Sequence, residues 1–213
     1  MKTDELVRLL ASGATPVPGH AVARRLTLAL GWGLAGALLI VLAVMGVRND
    51  LAQESSRMMF WIKPAFAAAL AWAALAVVAR LGRPGMRVAS LWLMLAAPVL
   101  LIWLLAAGVL VNAAPAERSA LVFGESWLVC PPNIALVSMP LLAALLWAMK
   151  GFAPTRLALA GAGAGLLAGA IGALVYALHC PESSAAFFAV WYVLGMLIPT
   201  ALGAVLGPRL LRW

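Results

Sequence analysis

The sequence predicts an all-α membrane protein, a bundle of six transmembrane helices preceded by a short amphipathic helix at the N-terminus. Of its 213 residues 65% are hydrophobic and only 10% are charged, whereas soluble domains are about half apolar and a quarter charged. This composition excludes a water-soluble enzyme, a disordered chain and a disulfide-stapled secreted domain. Six runs have the roughly 20 apolar residues that a helix needs to cross the hydrocarbon core. The runs are continuous rather than alternating, which excludes the strands of a membrane β-barrel.

The chain divides into a tail and one transmembrane domain. Residues 1–25 are polar to mixed and form a cytoplasmic tail, and residues 26–213 form the domain. The spans are predicted at approximately 26–47, 60–79, 90–112, 131–149, 157–179 and 184–207. Pro131 and Pro132 mark the start of the fourth helix, where the missing N–H is tolerated, and Pro208 is expected to stop the sixth. The connections between spans are too short to hold a soluble domain.

The tail contains a short predicted helix. Thr3 is a suitable N-cap, and Asp4 follows in the first turn, where the helix dipole favours an acidic side chain. Leu6, Leu9 and Leu10 then share one face. A helix this short is marginal alone, so the leucines must bury against the membrane surface, the bundle or a partner protein. The semi-rigid proline-containing linker that follows favours a projecting helix that docks in a partner's groove.

The positive charges are distributed unequally between the two sides of the predicted bundle. Of the 15 lysines and arginines, 11 lie on the side of the two termini and 4 on the other side. Since basic residues are retained in the cytoplasm, both termini are predicted to be cytoplasmic. The net charge of +8 therefore reflects basic residues on the cytoplasmic side of the bundle, where they can contact anionic lipid headgroups. No direct binding of nucleic acid is expected.

Glycines predict which helices pack most closely. Gly161, Gly165 and Gly169 recur at every fourth position of the fifth span, and Gly203 and Gly207 are four apart in the sixth. Lipid gives helices no hydrophobic reason to associate, so small residues that allow close approach matter. The fifth and sixth helices are expected to pack closely within one chain, and whether the bundle dimerises stays open.

Lys63 is the only charged residue clearly inside a span. An ionisable residue in the membrane is by default a functional hypothesis. Lys63 lies within a turn of the helix start, however, so its ammonium is expected to extend to the outer surface. No acidic residue lies inside any span to pair with it, which argues against an ion-coupled transporter.

Cys130 and Cys180 are the only cysteines, and they are predicted to be neighbours at the outer surface. Cys130 precedes the fourth helix and Cys180 follows the fifth, and these two helices form an antiparallel hairpin joined on the inner side. In an oxidising compartment the pair would form a structural disulfide. Alternatively the two are sensor thiols, with an imidazolium at His179 favouring the thiolate. His179 and Glu182 would then complete a transient soft-metal site, and no other cofactor is expected.

A set of short segments, distributed along essentially the whole chain, carries a family resemblance. The segments are 1–10, 16–18, 24–26, 124–127 before Cys130, 153–156, 176–182, Phe188, Trp191, Tyr192, Gly195, Pro199 and 207–213. Together they resemble the bacterial NrsF-type anti-sigma factors. The N-terminal run and the run from His179 to Glu182 are the most specific parts.

The resemblance implies a six-span protein of the bacterial inner membrane with no enzymatic activity. Its cytoplasmic N-terminal segment would hold an extracytoplasmic-function sigma factor inactive. The residues expected to bind that partner are Asp4, Leu6, Leu9 and Leu10. Cys130 and Cys180 match the two periplasmic-side cysteines that the family implicates in sensing heavy-metal or oxidative stress.

Three other functions remain open from the residues alone. A small transporter or exporter would need a polar site at the membrane midplane. A membrane thiol oxidoreductase would need a Cys-x-x-Cys pair and a second pair, and the chain has only two cysteines. A purely structural membrane subunit would carry a permanent disulfide and no regulated partner.

Overall fold

The structure is a computed structural model, and it describes residues 3–12, 21–56, 58–83, 91–152 and 154–212. The regular elements in these ranges are all helical, which confirms the predicted all-α class. Six helices are long and apolar enough to span a membrane, as predicted. They are Val22–Met45, Met59–Leu81, Leu91–Asn112, Cys130–Lys150, Leu157–Tyr176 and Ala185–Leu210.

Ten α-helices, three of them extended by a π or 3₁₀ turn, follow one another along the described chain. They are α1 (Thr3–Ser12), α2 (Ala21–Ile40, then a π turn Val41–Met45), α3 (Leu51–Glu54), α4 (Ile62–Leu81, after a 3₁₀ turn Met58–Trp61), α5 (Leu91–Asn112), α6 (Arg118–Phe123), α7 (Cys130–Lys150), α8 (Leu157–Tyr176), α9 (Ala185–Phe187, then a π turn Phe188–Tyr192) and α10 (Val193–Leu210). The first span is α2 with its π turn, and the sixth is α9, its π turn and α10.

The first and sixth spanning helices extend beyond the apolar runs predicted for them, for the same reason. The first spanning helix begins at Ala21, so Arg24 and Arg25 belong to it rather than to the tail. The sixth continues through Pro208 to Leu210. Charged residues and a late proline mark where the apolar run ends, but they do not end a helix, because a proline near the C-terminus removes only one hydrogen bond.

Helix α8 is the centre of the bundle. Two-thirds of its span (67%) is buried, against 11% for α5, which lies at the periphery against α4 and α9. α8 packs most extensively against α10, and then against α4 and α7, while α2 packs mainly on α7.

The glycines of α8 and α10 lie where these two helices touch. The five are Gly161, Gly165, Gly169, Gly203 and Gly207. A Cβ on Gly161 would overlap the carbonyl oxygen of Gly203, and a Cβ on Gly203 would overlap that of Gly161. A Cβ on Gly169 would come within 2.9 Å of the Met196 carbonyl oxygen. The backbones are therefore in direct contact within one chain, as small residues allow.

The two ends of the bundle carry different features of the chain. An even number of spans brings the start of α2 and the end of α10 to the same end, which also carries α1 in sequence. The opposite end, called here the thiol end, holds Cys130 at the start of α7 and Cys180 after α8. The linker 16–18 and Trp213, both part of the family resemblance, lie outside the described residues.

Candidate functional sites: a buried thiol pair and an N-terminal helix

Cys130 and Cys180 lie together at the thiol end, as the hairpin of α7 and α8 predicts. Both are free thiols and both are fully buried. The Cys130 thiol donates a hydrogen bond to the sulfur of Cys180. The pair is therefore beneath the surface of the bundle and not at the outer surface as predicted, because the surrounding helices and loops close over it.

The sulfur of Cys180 lies among hydrogen-bond donors. It accepts a hydrogen bond from the N–H of Glu182 as well as from Cys130. The Tyr192 hydroxyl, buried and without another hydrogen-bond partner among the described residues, lies beside the same sulfur. The hydrogen bond from Cys130 is the largest cause that lowers the pKa of Cys180 to about 6, and the positive charge of Lys63 adds to it against the opposing effect of burial. These neighbours favour the thiolate form of Cys180.

Lys63 contradicts the prediction that its ammonium reaches the outer surface. The side chain is only 2% exposed, and its Nζ donates to the carbonyl oxygen of Cys180 at 2.9 Å. The ammonium lies 5.0 Å from the ring centre of Phe188 and 5.7 Å from that of Tyr192. A carbonyl and two aromatic faces stabilise this buried cation. The sequence argument considered only an acidic side chain as a partner for Lys63, and it therefore missed this site.

His179 adjoins Cys180 in sequence, yet its ring is engaged elsewhere. Its Nδ1 lies 2.9 Å from the carbonyl oxygen of Gly46, at the end of the first span. The ring also packs against Tyr176, with centroids 5.6 Å apart. The positive charge beside the sulfur, which the sequence assigned to His179, comes instead from Lys63.

Glu182 holds the loop that precedes α7. Its Oε1 accepts hydrogen bonds from the N–H of Glu125 (2.9 Å), the N–H of Ser126 (3.2 Å) and the Ser126 hydroxyl (3.1 Å). Gly124 has a φ of 54°, and a Cβ there would come within 2.5 Å of the same carboxylate oxygen. Glycine at this turn therefore lets the carboxylate approach the backbone.

Of the four residues considered for a soft-metal site, only Cys130 and Cys180 direct their side chains toward each other. Among the residues that the structure describes, no group of three or more His, Cys, Asp or Glu side chains is close enough to hold a metal ion. His179 and Glu182 bind backbone groups instead, which leaves the sulfurs of Cys130 and Cys180 as the two soft donors.

Arg48 is one of the four basic residues that the sequence places on the side opposite the termini. It reaches residues 178–180, called here the thiol segment. Its guanidinium binds Asp50 through two hydrogen bonds of 2.6 and 2.5 Å, and its Nη1 donates to the Cys180 carbonyl at 3.3 Å. Its backbone N–H donates to the carbonyl of Leu178 at 3.1 Å. The hydrogen bond with Asp50 raises the pKa of Arg48, so the side chain stays charged.

The N-terminal helix α1 presents apolar side chains at its surface. Leu6 is 42% exposed and Leu9 is 60% exposed, while Asp4 lies in the first turn as predicted. The side chain of Leu10, the third leucine of the predicted strip, is outside the described part of the chain. An amphipathic helix with exposed leucines has the form of a segment that docks into a groove.

Comparison with known proteins gives a match over nearly the whole chain. The family described as "Negative regulator of sigma F" (NrsF) matches residues 10–213. A protein of Azospira oryzae named "Probable anti-sigma-F factor NrsF" is 50% identical over 213 residues, all of both chains. A protein of Caulobacter vibrioides named "Anti-sigma-F factor NrsF" is 40% identical over 215 residues, again all of both chains. No solved structure matches the sequence.

Proposed function

Because the chain belongs to the NrsF family of negative regulators of sigma F, we propose that it is a membrane-bound anti-sigma factor that keeps a sigma factor inactive. Its partner is a sigma factor of the extracytoplasmic-function class. It resides in the bacterial inner membrane with both termini in the cytoplasm, and its role is regulatory and not enzymatic. The excess of lysine and arginine on the side of the termini supports this orientation.

The observation that carries the proposal is helix α1. Ten residues are too few for a helix to be stable alone in water, and the exposed Leu6 and Leu9 lack the cover that would stabilise it. A groove on the sigma factor would supply that cover. Asp4 and Leu10 complete the proposed binding strip. In the proposed orientation the tail lies in the cytoplasm, where a sigma factor is found.

The test compares two aspartates on opposite faces of α1. Leu9→Asp and Ala11→Asp add the same charge to the same helix, but the two positions are about 200° apart around its axis. Burial of a leucine contributes about 1.5–3 kcal/mol, so Leu9→Asp should weaken binding at least about tenfold. Ala11→Asp should leave it within about threefold. The measurement is the affinity of the full-length chain, in lipid nanodiscs, for a purified extracytoplasmic-function sigma factor of the same organism. Equal affinities for the two variants would show that α1 does not dock through its leucines.

The signal is received, in this proposal, at Cys130 and Cys180. Heavy-metal or oxidative stress acts on the pair, and the sigma factor is released. The hydrogen bond between the two thiols and the thiolate character of Cys180 support this role, because the thiolate is the form that reacts with oxidants and binds soft metals. A disulfide brings the sulfurs to about 2.05 Å, well inside hydrogen-bonding separation, so oxidation must move at least one of the two residues.

A further inference from the structure

Three hydrogen bonds join the thiol segment to the end of the first span. The Arg48 N–H donates to the Leu178 carbonyl at 3.1 Å, and the Arg48 Nη1 donates to the Cys180 carbonyl at 3.3 Å. His179 Nδ1 lies 2.9 Å from the Gly46 carbonyl. These residues, Gly46 to Arg48 against Leu178 to Cys180, are called here the strap. The Gly46 to Arg48 part of the strap directly follows the first span, Val22–Met45, whose helix α2 is the one nearest in sequence to α1.

The carbonyl of Cys180 is the point where the strap meets the thiol pair. Two cations bind this one oxygen: Arg48 from the end of the first span and Lys63 from α4. The Arg48 side chain is only 8% exposed and is oriented by its two hydrogen bonds to Asp50. The guanidinium therefore has little freedom to follow the carbonyl without moving the chain that carries it.

Movement of the Cys180 sulfur is transmitted to that carbonyl. Sulfur and carbonyl belong to the same residue, and Pro181 follows, which restricts the backbone of Cys180 to extended conformations. Because the Cys180 side chain is fully buried, it has little room to turn about its Cα–Cβ bond, so part of the shift of the sulfur toward Cys130 passes to the backbone. That part displaces the carbonyl from the position in which Arg48 and Lys63 bind it.

We infer that Arg48 is the positioning residue that couples the state of the Cys130–Cys180 pair to the first span, and through it to the tail, by way of the Cys180 carbonyl. This inference rests on the proposed function and names its route of regulation. The coupling is a ratio, namely the sigma-factor dissociation constant of the oxidised chain divided by that of the reduced chain. Arg48 sets this ratio, and it is not itself part of the sigma-factor site.

The experiment measures that ratio in the full-length chain in lipid nanodiscs. The chain is reduced with dithiothreitol or oxidised with diamide, whose N=N bond takes up the two electrons and two protons that the thiols lose as the S–S bond forms. A maleimide mass shift under denaturing conditions confirms the disulfide in every sample. Arg48→Gln removes the charge, and Arg48→Lys restores it. Arg118→Gln is a matched control, because Arg118 lies on the same side of the membrane and donates to the Ala113 carbonyl rather than to the thiol segment.

The ratio is expected to be about tenfold or more in the native chain and in Arg118→Gln, and close to one in Arg48→Gln, within the usual range of coupling. Arg48→Lys should recover part of it. A native ratio in Arg48→Gln, with the disulfide formed to the same extent, would overturn the inference. Should Arg48→Gln fail to fold, His179→Phe takes its place: it keeps the ring against Tyr176 but removes the bond to Gly46, and an unchanged ratio there refutes the strap. A ratio of one in the native chain would instead refute thiol sensing itself, so the two failures are distinguishable.

Discussion

Cys180 is predicted to titrate well below the range of an ordinary cysteine. The perturbation is the loss of its sulfur in Cys180→Ser, or of the nearby charge in Lys63→Met. The hydrogen bond from Cys130 and the charge of Lys63 both favour the thiolate and lower the pKa of Cys180 to about 6. The sulfur of Cys180 is therefore expected to lose its proton on folding at neutral pH.

The magnitude follows from that pKa. At pH 7 a group with a pKa of about 6 is roughly 90% ionised, whereas an ordinary thiol with a pKa of about 8.5 is roughly 3% ionised. The positive charge of Lys63 is one of the causes that lower the pKa of Cys180, so Lys63→Met should move the titration upward. Arg118→Gln, which removes an exposed charge that is hydrogen-bonded to the Ala113 carbonyl, should leave it unchanged.

The assay is the ultraviolet absorbance of the thiolate, followed against pH in the native chain minus the same titration in Cys180→Ser. This difference reports the ionisation directly and does not require a reagent to enter the buried site. A step centred near pH 6 is expected. A step between pH 8 and 9, or a step that Lys63→Met does not move, would refute the account of the sulfur's surroundings.

Three further outcomes are expected. Gly161→Ala should lower the free energy of unfolding by about 1–3 kcal/mol or more, because the added Cβ forces the backbones of α8 and α10 apart. Gly31→Ala, with open space around the added Cβ, should not lower it. Denaturant unfolding in detergent distinguishes the two variants. Glu182→Ala should destabilise the loop before α7 by about 2 kcal/mol, because three hydrogen bonds are lost. The Glu125 amide should then exchange its hydrogen faster, and an unchanged exchange rate would contradict this role of Glu182. The free energy of unfolding should rise between about pH 6 and pH 8.5, because in that window the unfolded Cys180 binds a proton that the folded one has lost, and a flat profile would contradict the lowered pKa.

The spans were predictable because each must supply about 20 apolar residues, and an apolar run of that length is typical of a membrane-spanning helix. The closeness of Cys130 and Cys180 was predictable from the hairpin of α7 and α8, since a short connection forces the two far ends together. The helix ends at Ala21 and Leu210 were not, because hydropathy reports where the lipid ends and not where the helix does.

The surroundings of the thiols were hidden from the sequence for a physical reason. Lys63 and Arg48 bind the Cys180 carbonyl from 117 and 132 residues away, and a backbone acceptor has no side-chain signature. His179 was placed beside the sulfur because it is the next residue, but neighbours in an irregular segment point in different directions, and its ring faces Gly46.

The central claim, that the tail holds a sigma factor and the buried thiols release it, is tested most directly by one measurement. The amount of a purified extracytoplasmic-function sigma factor of the same organism that binds to nanodiscs is determined before and after diamide. The two chains compared are the native chain and the double variant Cys130→Ser/Cys180→Ser. Both chains should bind the sigma factor when reduced, and only the native chain should release it on oxidation. Equal release from the double variant, or no binding by either reduced chain, would contradict the account.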